Sequence, residues 1–530
     1  MAESEIKPDG FGELPACALE YINLVIKKMR YRKNVCEEVR EELVDHFEMY
    51  LKDCASNEEK EQKAQQLISE FGDAKMLAKL MRRAKKRCRP LWQKILVRSF
   101  AAVLIIFAYL FICASWLRMG SPTIKINYAQ WLTEQQRQGR DESLNSKPEI
   151  DKAAEMIKKY PGWTKFYYIP RIWPGDMNET HRTELTETIH AVAGPLNIFN
   201  KAMEKPYFWA DYNTVGPLIV EVNSVLVLNP DFFDSVNQPL GPYRQIAKIL
   251  AARINWRAYS GDIDGAVDDI VSLFRFASHL EQSGLLVEQL VATAIEALSL
   301  QRTIMVLSRI DVPTAQLKRL QDEFTVTFAK HELPINLDGE KVFWYALIQQ
   351  GFTDDDKGNG RIINTSLLYF AGDWKNTIWG FLTFSYPDRQ QALAQVEKAF
   401  AEGQQKFLTT PWQRTPKTSR NTHVVANLQH SFKIIEPAYD SISVIAWRCK
   451  VYREATLTIL AMLRFQKEKG KYPDNLEEMV KAGYLTKLPH DPFSPGPLTY
   501  KKTEDGFLLY SWGENLKDDD GEVVRNEKGK

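Results

Sequence analysis

The chain lacks most of the short strings that announce chemistry. It contains no GxSxG, HExxH, GxxxxGK(S/T) or CxxC, and no GxGxxG following a strand. The nucleophile elbow, zincin helix, phosphate loop, redox pair and dinucleotide turn are therefore all missing. Histidine is sparse, with eight spread over 530 residues, and His331 in HELP has no second histidine four positions on. Charge of one sign is also lacking: 69 Lys and Arg against 68 Asp and Glu leave a formal +1, which gives no whole-chain attraction to nucleic acid. Apolar residues make up 44% and charged residues 26%, enough to bury the cores of two or more domains and too apolar for a disordered polymer.

Two local absences say more than the totals. Between Arg82 and Arg98 there is no acid, only Arg82, Arg83, Lys85, Lys86, Arg87, Arg89, Lys94 and Arg98 among neutral residues. Directly afterwards, Ser99 to Leu117 (SFAAVLIIFAYLFICASWL) has no charge at all. As a helix that run is roughly 28 Å long, the depth of a bilayer core. A buried helix of a globular protein rarely lacks a polar face over five turns, so residues 95–118 are expected to form one transmembrane helix. The run begins too late for an ordinary cleavable signal and no small-residue cleavage pattern follows it, so a retained anchor is expected.

The basic flank orients this helix. With eight cations before it and only Arg118 and Lys125 close behind it, residues 1–94 are expected in the cytoplasm and the bulk of the chain outside it. Cysteine usage agrees. Cys17, Cys36, Cys54 and Cys88 fall on the reducing side and Cys113 in the span, leaving Cys449 alone outside, where no intrachain disulfide can form.

The first segment is helical by pattern. Val35, Val39, Leu43, Phe47 and Leu51 recur at three- and four-residue steps, a third helix through EKEQKAQQLISEFG closes at Gly72, and a fourth begins with Asp73 as its N-cap. EELVDHFEMY followed by EFGDAKMLA resembles the small helical domain called HAAS or permease-prefix, over about residues 15–85; Glu70, Phe71, Gly72, Asp73, Leu77 and Ala78 are its most specific part. The resemblance implies an interaction or signalling module. His46, with no partner at ligand spacing, reads as an ordinary helix-face histidine.

Residues 119–436 read as a mainly helical extracytoplasmic domain. Its first part is rich in aromatics and proline: Trp163, Phe166, Tyr167, Tyr168 and Trp173, then Tyr207, Phe208, Trp209 and Tyr212. Core packing is the favoured reading of these rings, and a sugar-stacking groove the other. Helical periodicity then takes over, with Ile246, Leu250, Ile254 and Tyr259 on one helix and Val267, Ile270, Leu273, Phe274 and Ala277 on the next. The linking text AYSGDIDGAVDDI loosely resembles a tetratricopeptide hairpin, and an α-hairpin stack is expected. In TDDDKGNG, Asp354, Asp356 and Asn359 offer oxygens to a Ca²⁺, although a solvated acidic turn explains the same text. Asp338 with Glu340 is available as a carboxylate pair, yet two acids at a helix start are more simply a cap and a favourable charge at the dipole.

Residues 437–530 read as an α+β module. Pro437 precedes a long helix, Ala438 to about Lys469, with Ile445, Cys449, Tyr452, Ile459 and Leu463 as its apolar stripe. After the break at GKYP come a short helix capped by Asp474, the turn LPHDPFSPGP, and strands LTYKK and GFLLYSW. The order resembles the globular part of the type II secretion major pseudopilin. The match lies in Tyr472, Pro473, Leu476, Leu488, Pro489, Asp491, Pro492, Tyr500, Tyr510, Ser511, Gly513, Asn515, Asp519 and Gly521. That family holds a structural Ca²⁺ in the loop after the YS strand, which the resemblance implies here for Ser511, Asn515, Asp518, Asp519 and Asp520, hard oxygens of the kind Ca²⁺ takes. An EF-hand is excluded, because aligning Gly521 to that loop's glycine puts Leu516 where the first carboxylate belongs. A true pseudopilin begins with its own polymerising membrane helix, so this module is expected as a borrowed fold.

The fold class expected is therefore mainly α with a small α+β C-terminal module. Permease-prefix-like and pseudopilin-like pieces around a helical middle also resemble uncharacterised membrane proteins of planctomycete-type bacteria. The functional expectation is a non-enzymatic single-pass protein of a bacterial inner membrane, a scaffold or interaction/signalling module that contacts the lipid bilayer and protein partners in the membrane or envelope. The alternative is a membrane-tethered extracytoplasmic hydrolase or glycan-binding protein using the 160–212 aromatics with Asp338/Glu340 or Asp354/Asp356.

Overall fold

The computed structural model describes residues 14–87, 91–118, 120–160, 172–212, 219–222, 225–329, 335–355, 357, 360–363, 388–414 and 429–522. Among them the chain is mainly helical, with seventeen α-helices and two antiparallel two-stranded sheets, and it divides into two compact units, Met1–Ile112 and Cys113–Lys530.

The first unit holds α1 (Ala16–Met29), α2 (Lys33–Leu51), α3 (Asn57–Phe71), α4 (Ala74–Arg87) and most of α5 (Leu91–Arg118). The stripe read in α2 is the buried one: Val39, Leu43, Phe47 and Leu51 meet Ala18, Ile22 and Val25 of α1 in one core. Local chemistry sets the helix limits. Ser56 Oγ accepts from Glu59 N at 3.3 Å while the Glu59 carboxylate accepts from Ala55 N at 3.1 Å, a reciprocal cap on α3. Gly72 ends that helix at φ 74°, its carbonyl accepts from the Tyr21 hydroxyl at 2.9 Å, and Asp73 accepts from Met76 N at 3.1 Å to start α4. His46 is exposed with its ring 5.6 Å from Phe71, as a helix-face histidine should be.

Among the described residues, two helices are long and apolar enough to cross a membrane by length and composition. In α5 residues Ile95–Ala108 are all exposed, Ile105, Phe107 and Phe111 each by about two-thirds or more, and burial begins only towards the far end, with half-buried Tyr109 and Leu110 and buried Cys113. The other is α12 (Leu286–Arg309), 56% buried in its window, with Glu288, Gln289, Glu296 and Arg302 turned into the interior.

The second unit opens with α6 (Tyr128–Arg137), α7 (Lys147–Lys158), α8 (Glu179–Ala191) and α9 (Ala193–Ala202), then the hairpin β1 (Ile219–Val222) and β2 (Val225–Leu228), in which Ile219 faces Leu228. Four helices follow and pack on one another, α10 (Pro230–Tyr259), α11 (Ile263–Glu281), α12 and α13 (Thr314–Ala329). Gly261 turns the chain at φ 85°, Asp262 caps α11 by accepting from Gly265 N at 2.9 Å, and Ala266 is fully buried beyond it. Ile246, Leu250 and Ile254 are buried as their spacing requires; Tyr259, at the helix end, is exposed. Inside the stack Arg253 donates two bonds to Asp269 at 2.7 and 2.6 Å and Arg257 reaches it at 3.1 Å, a buried cluster that locks α10 to α11 in one register.

The remaining helices are α14 (Asp338–Gly351), α15 (Arg389–Leu408), the 41-residue α16 (Gln429–Lys469) and the short α17 (Leu476–Lys481). The segments expected as 119–436 and 437–530 belong to one compact unit, because α16 places Cys449 and Leu460 in the same core as α10 to α13. Helix α16 also starts before Pro437, at Gln429, so the proline lies inside the helix, where it removes one hydrogen bond and crowds the turn before it. Its buried face agrees with the expected stripe in part: Cys449 is buried and Ile459 and Leu463 are half-buried against the cores, whereas Ile445 and Tyr452 are exposed and Ala446, Leu460 and Phe465 are buried in addition.

At the C-terminus Asn475, rather than Asp474, caps α17, accepting from Glu478 N at 2.9 Å; Asp474 instead takes Lys502 at 2.6 Å. Strands β3 (Thr499–Lys502) and β4 (Phe507–Tyr510) pair antiparallel with Thr499 opposite Tyr510. The sheet shares a small core in which Met479 and Tyr484 meet Ala461, Met462 and Phe465 of α16.

Candidate functional site

The C-terminal loop is built around a carboxylate. Asp491, fully buried in the proline-rich turn, accepts from Ser511 Oγ at 2.7 Å, Trp512 N at 3.1 Å and Phe493 N at 3.0 Å, which ties the strand end to the turn. Beyond it Gly513, Leu516, Asp520 and Gly521 all take positive φ, coiling the chain tightly enough to bring distant oxygens near one another.

The five expected ligands sit on this coil, each engaged with a protein partner. Ser511 faces Asp491; Asn515 Nδ2 donates to Asp519 at 2.5 Å; Asp518 accepts from the Tyr510 hydroxyl at 2.9 Å and from Asp520 N at 3.1 Å; Asp520 pairs with Lys501 at 2.6 Å. The Lys501 ammonium holds the Asp520 carboxyl below its ordinary range. The donor chemistry suits Ca²⁺. Among the described residues, however, no three His, Cys, Asp or Glu side chains are grouped to hold a metal, so a cation here has to draw Asp520 away from Lys501.

The acids of the alternative reading point apart. Asp338 is solvent-facing and pairs with Lys341 at 2.8 Å, while Glu340 turns inward and accepts from Leu286 N at 2.8 Å. Asp354 is claimed by Lys125 at 2.9 Å and by Arg389. Asp356, Asn359 and His331 lie outside the described residues, as do Trp163, Phe166, Tyr167 and Tyr168. Of the other rings, Trp173, Phe208, Trp209 and Tyr212 are buried between helices, and Tyr207 is covered by the Arg140 guanidinium 4.0 Å above it.

Sequence reasoning missed two interior clusters. At the start of α12 two carboxylates meet the free N–H groups of its first turn: Glu340 reaches across from α14, and Glu288 lies within that turn. The Tyr212 hydroxyl donates to Glu288 at 2.6 Å and itself accepts from Gln136 Nε2 at 3.0 Å. Burial pushes Glu288 up to about 7, against the pull of Tyr212 and Leu285 N, and it raises Glu340 as well. A close backbone approach allows this geometry: a Cβ on Gly339 would stand 1.6 Å from the Gly284 carbonyl oxygen.

The second cluster joins α16 to the stack. Arg453 donates to Glu296 from both Nε and Nη2, the latter at 2.5 Å, and to Glu281; the Cys449 thiol donates to Glu296 at 3.3 Å. Burial disfavours the guanidinium charge, but Glu296 and Glu281 outweigh it and hold Arg453 cationic. Burial likewise pushes the Cys449 thiol well up, so it is not a nucleophile. The cleft beside Arg453, walled by Phe274 and Phe328, leaves no room for even a water-sized sphere, so it is no ligand pocket. The cluster is a clamp between helices. In the sequence Arg453 is one of four charged residues between Arg448 and Glu454, with Lys450 and Thr456 among its helical neighbours, so nothing local singles it out.

The fold and its sites thus define a mainly helical chain with an exposed apolar helix and buried acid clusters that cap and clamp. No protein family, curated protein or solved structure matches it.

Proposed function

We propose that this chain is a non-enzymatic, single-pass envelope protein of a bacterial inner membrane, a scaffold or interaction/signalling module. The permease-prefix-like unit is cytoplasmic, α5 spans the bilayer once, and the second unit with its pseudopilin-like end meets partners outside the cytoplasm. The observation that carries this reading is the apolar run Ile95–Ile112, without a buried residue while the apolar stripes of α2, α10 and α11 are buried. The cations of 82–98 orient the span. The charges buried in α12 are what a core helix carries, which supports a single crossing. The scaffold reading draws further support from the described aromatics packed between helices and from the divergence of Asp338 and Glu340. A structural Ca²⁺ belongs to the same reading, held by Ser511, Asn515, Asp518, Asp519 and Asp520 and bracing β3 and β4.

Membrane-impermeant maleimide tests the topology. Cys36 and Cys54 should stay unlabelled in intact cells and react after permeabilisation; labelling in intact cells overturns the proposal.

A further inference from the structure

Charge is sorted by helix within the first unit. Helix α2 exposes Glu37, Glu41, Asp45 and Glu48, whereas α4 (AKMLAKLMRRAKKR) has no acid along its length. One face of α4 is spent on the core through Ala74 and Ala78, and Lys85 on the same side is taken by Glu38 and Glu42 at 2.7 and 2.6 Å. What remains outward is Lys75, Lys79, Arg82, Arg83 and Lys86. At 100° per residue these five fall within roughly 100° of arc, and Met76 and Leu80 lie along one edge of it. Those two apolar side chains are 60% and 56% exposed.

Connectivity limits where this face can be. From Arg87, the last residue of α4, to Leu91, the first of α5, there are four Cα steps, about 14 Å at full stretch. The apolar window opens at Ile95, one helical turn further on. If α5 crosses a bilayer, the end of α4 is held within reach of the lipid headgroups.

We infer that the exposed face of α4 lies on anionic phospholipid in the leaflet that α5 enters, with Lys75, Lys79, Arg82, Arg83 and Lys86 against phosphates and Met76 and Leu80 at the acyl boundary. This rests on the single-span reading and adds the lipid class that the inner unit recognises. A basic face edged with apolar side chains matches an anionic headgroup layer in both charge and polarity. An acidic protein would meet the cations but would leave the apolar edge without a role.

The test is amine footprinting of the full-length chain in nanodiscs of phosphatidylcholine alone and of phosphatidylcholine mixed with phosphatidylglycerol. Lys75, Lys79 and Lys86 should be acylated at least about threefold more slowly in the anionic discs, an effect erased by high salt, while Lys33 and Lys52 on the acidic side serve as unchanged references. Lys79→Glu with Arg83→Glu should remove the lipid dependence. Hydrogen exchange of α5 in the same discs separates the two ideas. With α5 protected in both lipids, equal acylation of the α4 lysines overturns the lipid contact alone and leaves the face to an acidic protein. An unprotected α5 overturns the membrane span and the inference with it.

Discussion

Glu288 offers a perturbation whose direction reverses the usual expectation for removing a buried, hydrogen-bonded charge. Its carboxyl is enclosed at the start of α12 with the Tyr212 hydroxyl 2.6 Å away, and burial raises it from the ordinary 4.5 to about 7. Between those two values the unfolded chain has already released this proton while the folded chain still holds it. Stability therefore falls as pH rises through that window and levels off above it. A gap of about 2.5 pH units at about 1.4 kcal/mol each makes the loss on the order of 3 kcal/mol by pH 8. Glu288→Gln keeps an oxygen for Tyr212 and removes the ionisation. In urea denaturation of the detergent-solubilised chain, the variant should match the wild type near pH 5 and exceed it near pH 8 by up to about 3 kcal/mol, less any misfit of the amide. Taking the difference between the two proteins cancels the other titrating groups. A variant that loses the same stability at both pH values, or that gains nothing at the higher one, would refute the argument that an uncompensated charge sits there.

Arg453→Met should cost about 3–5 kcal/mol near pH 8, because it leaves buried Glu296 beside Glu281 without a cation, and less near pH 5, where Glu296, raised by burial to about 7, holds its proton; equal losses at both would show that the guanidinium acts only by packing. Gly339→Ala drives a methyl into the Gly284 carbonyl, so α14 must back away from α12. The expected cost is about 3 kcal/mol or more, with faster amide exchange at Leu286, and an unchanged melting temperature contradicts the close approach. Calorimetric titration of the full chain with Ca²⁺ should show one site, lost in Asp519→Ala combined with Asp520→Ala; no heat from the folded wild type removes the metal from the loop.

Some of this architecture can be read directly from the string, and the reasons are local. The α2 stripe, the Asp73 cap, the Gly72 stop and the Asp262 turn depend on residues within a few positions of each other, so pattern and structure agree. The phase of α16 was legible at Cys449, Ile459 and Leu463 but not at Ile445 and Tyr452, for a long-range reason. Arg453 occupies the middle of the buried face, where an arginine normally marks solvent, and only Glu281 and Glu296, more than 150 residues earlier, make that position tolerable. Asp491 was legible as part of a rigid turn, but nothing in the sequence says that its carboxylate folds back onto Ser511 and Trp512. Asp338 and Glu340 stand two positions apart and look like a pair, yet a two-residue step on a helix turns side chains to opposite sides, one to Lys341 and the other to α12.

Helix α16 is a shared spine. Over roughly 40 Å it supplies Tyr439 and Ala446 to one apolar cluster, Cys449 and Leu460 to a second, and Ala461, Met462 and Phe465 to a third beneath the terminal strands. Three cores threaded on one rod cannot melt one at a time without breaking the rod, so a tug on the outermost hairpin is felt where Arg453 grips its two glutamates. A rod built this way transmits load instead of unravelling from its tip.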